Sequence, residues 1–147
     1  MPRMHWERWR KGLHTQLIHE RKKEDNYLLH LLSMDSILLR CIRVVTRIGV
    51  PNDERKKPQE VLVTLELFQS LKNIAQTDSV TDGIDYAKVT EEVLMLGKTE
   101  RKTIERFAEN IASVLLKKFK PEGGVCITVT KKPDLPLESA SVTITRP

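Results

Sequence analysis

The sequence predicts an α+β domain: one four-stranded antiparallel sheet with two helices on one face, in the order ββααββ. Three observations lead there. Strand-like apolar runs come in pairs at both ends of the region 34–147. Two segments with helical apolar spacing lie between them. Clusters of Gly, Pro, Asn and Asp punctuate the joins.

The first strand starts at Ser36. Ile37, Leu39 and Cys41 fall on one phase and Leu38, Ile42 and Val44 on the other, so both faces read as largely apolar. Residues 47–53 (RIGVPND) have turn chemistry. The second strand follows, with Val61, Val63, Leu65 and Leu67 in strict alternation. The two strands make a hairpin. Residues 76–83 (QTDSVTDG) form a polar loop. Tyr86, Val89, Val93 and Leu96 then recur at helical spacing, with Gly97 placed to end that helix. A second helix carries Ile104, Phe107, Ala108, Ile111, Leu115 and Phe119 on one face. Thr103 is placed to cap its start, Lys117 and Lys118 suit the negative end of its dipole, and Pro121 with Gly123-Gly124 stops it. Two more strands, 125–130 and 141–145, complete the chain, and Pro133 and Pro136 keep the stretch between them irregular. One sheet face is left without helices. That face, or the strand edges, is expected to meet a second copy of the chain, giving a homo-oligomer.

Composition excludes several classes. No run approaches the ~18 apolar residues a membrane span needs, and the N-terminus lacks the apolar core of a secretory signal. The net charge is +5, but residues 1–33 hold seven Lys/Arg against four Asp/Glu, and the rest holds 18 against 16. The domain has no dense basic stripe, so no nucleic-acid partner is expected. Residues 1–33, with Trp6 and Trp9, read as a poorly ordered N-terminal extension with loosely helical spacing, and 34–147 as the domain. Cys41 and Cys126 lie in apolar strand-like segments and read as buried reduced thiols of a cytoplasmic protein. All four histidines (His5, His14, His19, His30) precede the domain. A His-based catalytic pair or His-rich zinc site in the domain is thereby ruled out, which leaves chemistry to carboxylates, Tyr, Lys and hydroxyls.

Four stretches then resemble the dihydroneopterin aldolase family. GVPNDERKKPQEVLVTLEL (49–67) resembles its first hairpin, with Gly49, Glu54 and Gln59 at intervals of five. TDSVTDGIDYAKVTEEV (77–93) resembles the Thr-Asp, Asp and Tyr that open its first helix. TIERFAENIASVLL (103–116) resembles its second helix, with Glu105 in the first turn. KKPDLPLESASVTITR (131–146) resembles its Lys-Pro loop and closing strand. The resemblance runs from Ser36 to Pro147 and implies the tunnelling fold, whose protomers assemble into rings, here a tetramer or an octamer.

It also implies a reaction. A retro-aldol cleavage of 7,8-dihydroneopterin yields 6-hydroxymethyl-7,8-dihydropterin and glycolaldehyde for folate biosynthesis. The pterin's own C=N bond takes up the electrons, so neither metal nor cofactor is implied. Glu105 would grip the guanidine-like edge of the pterin. Lys132 and Tyr86 would be the catalytic pair, with Lys131 a competitor on strand phase. Glu54 would approach the substrate side chain, and Ile84 and Asp85 would contact the substrate. In the family the Tyr reaches the site from a neighbouring subunit. Two departures stand out: Arg47-Ile48-Gly49 replaces the Tyr-His-Gly of many bacterial members, and the closing loop is short. Both resemble the sister enzymes that epimerise dihydroneopterin or its triphosphate at the 2′ carbon, where Arg47 and Lys56-Lys57 would meet a triphosphate. A non-catalytic pterin-binding scaffold is the remaining alternative.

Overall fold

The structure, a computed structural model, describes residues 19, 21–23 and 34–147. The chain divides between Met34 and Asp35. Residues 19 and 21–23 are helical and exposed. Other expectations for residues 1–33, including the order of the extension and the setting of Trp6 and Trp9, lie outside the described residues.

The second unit contains β1 (Ser36–Thr46), α1 (Asn52–Arg55), β2 (Gln59–Phe68), α2 (Lys72–Thr77), a 3₁₀ turn (Val80–Asp82), α3 (Tyr86–Leu96), α4 (Ile104–Phe119), β3 (Val125–Lys131) and β4 (Ala140–Arg146). The strands form one antiparallel sheet in the order β1-β2-β3-β4. The expected architecture is present. The connections hold more structure than expected: α1 starts in the turn 47–53, the 3₁₀ turn lies in the loop 76–83, and α2 folds a stretch for which no element was expected. Their few residues carry no apolar periodicity by which to recognise them.

One correction concerns β1. Leu39 pairs with Leu65 and Ile42 with Val63, so β1 carries one extra residue at this point. Cys41 has φ +55°, and its amide donates to Thr64 Oγ1 at 3.1 Å. This bulge resets the alternation. Ile37 and Leu39 before it and Ile42 and Val44 after it therefore all face the core. The two apolar faces expected from the sequence are one face seen across a phase change. Cys41 is exposed and Cys126 half-buried, where burial of both was expected.

The core lies between the sheet's inner face and the two long helices. Val61, Val63, Leu65 and Leu67 of β2 and Val125, Ile127 and Val129 of β3 are closed off from solvent. α4 packs over β3 and β4, and α3 against β1 and α4. α4 buries Phe107, Ala108, Ile111, Ala112 and Leu115 at the expected spacing. The Thr103 side chain accepts from the Arg106 amide at 3.2 Å, and Asp85 caps α3 by accepting from Ala87 at 2.9 Å. Gly124 (φ +82°) lets the backbone pass the last strand, where a Cβ would sit 2.2 Å from the Arg146 carbonyl oxygen. The outer face is rich in hydroxyls. Thr128 pairs with Thr143 at 2.8 Å and Thr130 with Ser141 at 2.7 Å. Among the described residues no helix is long and apolar enough to cross a membrane.

Phe107 is fully buried and fills the space between α4 and the sheet. Phe107→Ala is expected to lower unfolding free energy by ~3–5 kcal/mol in denaturant titration. Met95, 57% exposed on α3, serves as the control. Met95→Ala should stay within ~0.5 kcal/mol of the parent.

Candidate active site

The β1–β2 connection, the start of α4 and the β3–β4 loop enclose an open groove of about 300 Å³. Glu54, Lys102, Glu105 and Lys131 are its charged residues. Ile48, Val50, Ile104, Pro133, Leu135 and Leu137 supply apolar walls. Such a mix suits a small organic ligand held by few polar contacts.

Lys131 ends β3 on the same phase as Ile127 and Val129, so the pleat turns it toward the helix-covered side. Its ammonium donates to Glu54 Oε1. Glu54 comes from α1, a single turn that reverses the chain after Pro51. Gly49 makes room for it. A Cβ there would lie 2.2 Å from Glu54 Oε2, and the φ of +155° also favours glycine. Gln59 completes the arrangement, its Nε2 donating to the Ile48 carbonyl at 2.5 Å and to Glu54 Oε1 at 3.4 Å. The Lys131 hydrogen bond holds the Glu54 carboxyl below its ordinary 4.5. Burial opposes this as the second-largest effect, and Gln59 and the charges of Lys131 and Arg55 add smaller contributions that lower it.

Glu105 sits in the first turn of α4, exposed to the groove. A carboxylate there is favoured by the helix dipole and remains open to accept hydrogen bonds from a ligand.

The other expected residues lie elsewhere. Lys132 is the first residue past β3; it is exposed and does not line the groove. Tyr86 opens α3 and is 63% exposed; it does not line its own chain's groove. Asp85 is the α3 cap, and Ile84 is buried in the core. Arg47 donates to the carbonyls of Arg55 (3.0 Å) and Lys56, tying down the end of α1. Sequence reasoning missed the apolar walls. Val50, Leu135 and Leu137 looked like loop residues, and their placement together depends on how two distant loops meet.

Among the described residues no three His, Cys, Asp or Glu side chains gather as metal ligands. A four-stranded antiparallel sheet with two helices on one face is the architecture of the tunnelling fold, and the groove at its end is sized for a small molecule. Comparisons with known proteins narrow this further. The family model for FolB, dihydroneopterin aldolase, matches residues 37–145. Dihydroneopterin aldolase of Escherichia coli K12 is 31% identical over 87 residues, 58% of this chain and 71% of that protein. The Bacillus subtilis enzyme of the same name is 30% identical over 118 residues, 77% of this chain and 98% of its own. The crystal structure of E. coli dihydroneopterin aldolase in complex with neopterin superposes with a TM-score of 0.73 at 27% identity, covering 78% of this chain and 100% of that one. The chain belongs to the dihydroneopterin aldolase family.

Glu54 carries a pH prediction. Its folded value lies below 4.5, so its pairing stabilises the fold above the unfolded carboxylate range, and this stabilisation is lost as pH falls through the folded value. The Tm difference between the parent and Glu54→Gln should be full at pH 7 and should shrink below pH 4.5. Thermal melts of both proteins across pH 3–7 check it, and a difference that does not change with pH would contradict the assignment.

Proposed function

We propose that this chain is a dihydroneopterin aldolase of folate biosynthesis, acting on a pterin held in the Glu54–Glu105–Lys131 groove of a ring-shaped, cytoplasmic homo-oligomer. The observation that carries the reading is the Lys131–Glu54 pair in one groove with Glu105. The E. coli relative's complex with neopterin supports the ligand class.

In the proposed reaction Glu105 accepts two hydrogen bonds from the guanidine-like edge of the pterin, fixing ring orientation. The trihydroxypropyl side chain then extends toward Glu54 and Lys131. Loss of the 2′-hydroxyl proton drives cleavage of the C1′–C2′ bond. The 2′ carbon leaves as the aldehyde of glycolaldehyde, and the bond's electrons flow into the ring C6=N5 bond, with N5 gaining a proton. The resulting enamine takes a proton at C1′ and gives up the proton on N5, which restores the C6=N5 bond in 6-hydroxymethyl-7,8-dihydropterin. Lys131, an ammonium donor, and Glu54, an ionised acceptor, together with ordered water, can move both protons.

Tyr86 supports a shared site. An aromatic 63% exposed on α3, outside its own groove, is available to a neighbouring subunit's groove. Both outer strands of the sheet, β1 and β4, have an edge that pairs with no other strand of the second unit, and such edges favour association between copies.

The assay is turnover of 7,8-dihydroneopterin without added metal, with both products followed by chromatography. Lys131→Ala should lower kcat by roughly 10²–10⁴, the usual worth of general acid–base catalysis, whereas Lys132→Ala stays near the parent. Glu105→Ala should instead raise KM by roughly 10–100-fold, the worth of a charge-assisted fork. Formation of a 2′ epimer without cleavage would move the chain to the epimerase branch. No turnover of free or triphosphate substrate would leave a pterin-binding scaffold.

Shared sites predict complementation. Tyr86→Phe and Lys131→Ala proteins, each impaired alone, should regain activity when unfolded together and reassembled, because some interfaces then combine intact partners. Size-exclusion chromatography confirms mixing, and mixed rings with no gain in activity would place Tyr86 outside the shared site.

A further inference from the structure

We infer that Arg55, Glu100 and Arg101 form a clamp that sets the spacing of the two groove carboxylates, and that they act as positioning residues. The inference rests on the aldolase reading. Glu54 and Glu105 belong to segments with no sheet between them. An isolated parallel bridge, Ile48 with Arg101, joins these segments. It consists of Arg101 N donating to the Arg47 carbonyl at 3.0 Å and Gly49 N donating to the Arg101 carbonyl at 3.2 Å. Ile48, Gly49 and Arg101 are buried, but two isolated backbone bonds lack the cooperative support of a strand ladder.

Two buried arginines reinforce them. The Arg101 side chain donates through Nη1 to the carbonyls of Leu96 and Thr99, both at 2.7 Å, and through Nε to Asn110 Oδ1 at 2.8 Å. Its guanidinium lies 4.7 Å from the Phe107 ring centroid. Arg101 is thereby pinned to the end of α3 and the middle of α4. Arg55 donates to the carbonyls of Gly49 (2.5 Å) and Val50 (2.8 Å), to Asn52 Oδ1, and through Nε to Glu100 Oε1 at 2.7 Å.

Chain adjacency makes the clamp functional. Arg55 follows Glu54 directly, and Glu100 precedes Arg101, four residues before Glu105. Slack in the Arg55–Glu100 bond therefore reaches the Glu54–Lys131 pair without disturbing the core. The rigid guanidinium fork suits this task, since each donor is assigned to a separate acceptor. Reactions of this kind tolerate little displacement, and a misplacement near 1 Å can cost about 10²-fold.

Glu100 is the residue to change, because its side chain is 54% exposed and it does not line the groove. Glu100→Ala should lower kcat about tenfold by loosening the reacting geometry. KM, and the Kd for neopterin, should stay within about twofold, since Glu105 keeps its helix. The Tm should hardly move. Glu100→Gln keeps an acceptor for Arg55 and should recover most of kcat. Hydrogen exchange at the Gly49 amide should quicken in Glu100→Ala and stay slow in Glu100→Gln. A Glu100→Ala protein with parental kcat overturns the clamp, as does a fall in Tm with kcat unchanged. Should the parent itself fail to turn over dihydroneopterin, the aldolase reading falls instead. The Gly49 exchange rates then decide the clamp alone, and unaltered exchange overturns it.

Discussion

The domain depends on keeping one face of its sheet apolar across every strand. β2 and β3 meet this by simple alternation, with Val61, Val63, Leu65 and Leu67 beside Val125, Ile127 and Val129. β1 meets it only through the bulge at Cys41, which brings Ile42 and Val44 onto the side of Ile37 and Leu39. Burying these side chains under α3 and α4 is the main favourable contribution to folding. The same constraint fixes the phase of every strand end. At the end of β1 it leads into Ile48 and Gly49, and at the end of β3 it selects Lys131. The groove is therefore the place where the core's alternation runs out and polar residues continue it.

Continuation of a core pattern into a site explains how the charges are held. Lys131 occupies what would be the next inward position after Val129, so its stem packs beside apolar neighbours while its ammonium reaches Glu54. Glu54 in turn needs the missing Cβ of Gly49 and the support of Gln59. Neither charge is left alone in a half-buried setting, which would be costly. Glu105 differs. It stands at a helix start, where the dipole favours it, and it keeps its oxygens open for a ligand.

Much of this was legible in the sequence. The four strands, the two long helices, the Thr103 cap and the choice of Glu54 and Glu105 as site candidates, both of which line the groove, follow from local pattern and family resemblance. What escaped depends on long-range fit. The bulge contains no glycine, although Cys41 takes a positive φ, so nothing in Arg40-Cys41 marks a change of phase. Lys131 and Lys132 are adjacent and chemically alike, and only the end of β3, which falls between them, separates them. Buried Arg55 and Arg101 gave no signal, since most arginines are solvated and these two are buried by carbonyls from distant segments.

The resting pair bears on the proposed chemistry. A carboxylate hydrogen-bonded to an ammonium is an ionised acceptor beside a protonated donor. Removing the 2′-hydroxyl proton calls for an acceptor, and protonating the enamine calls for a donor. A substrate hydroxyl or a water entering between Lys131 and Glu54 would find both within one hydrogen bond. A pterin anchored too loosely at Glu105 would leave the side chain free to miss that gap. The distance between the anchor and the pair therefore matters as much as the identity of the residues, and in this chain it is set by the contact between the 47–56 and 100–101 segments.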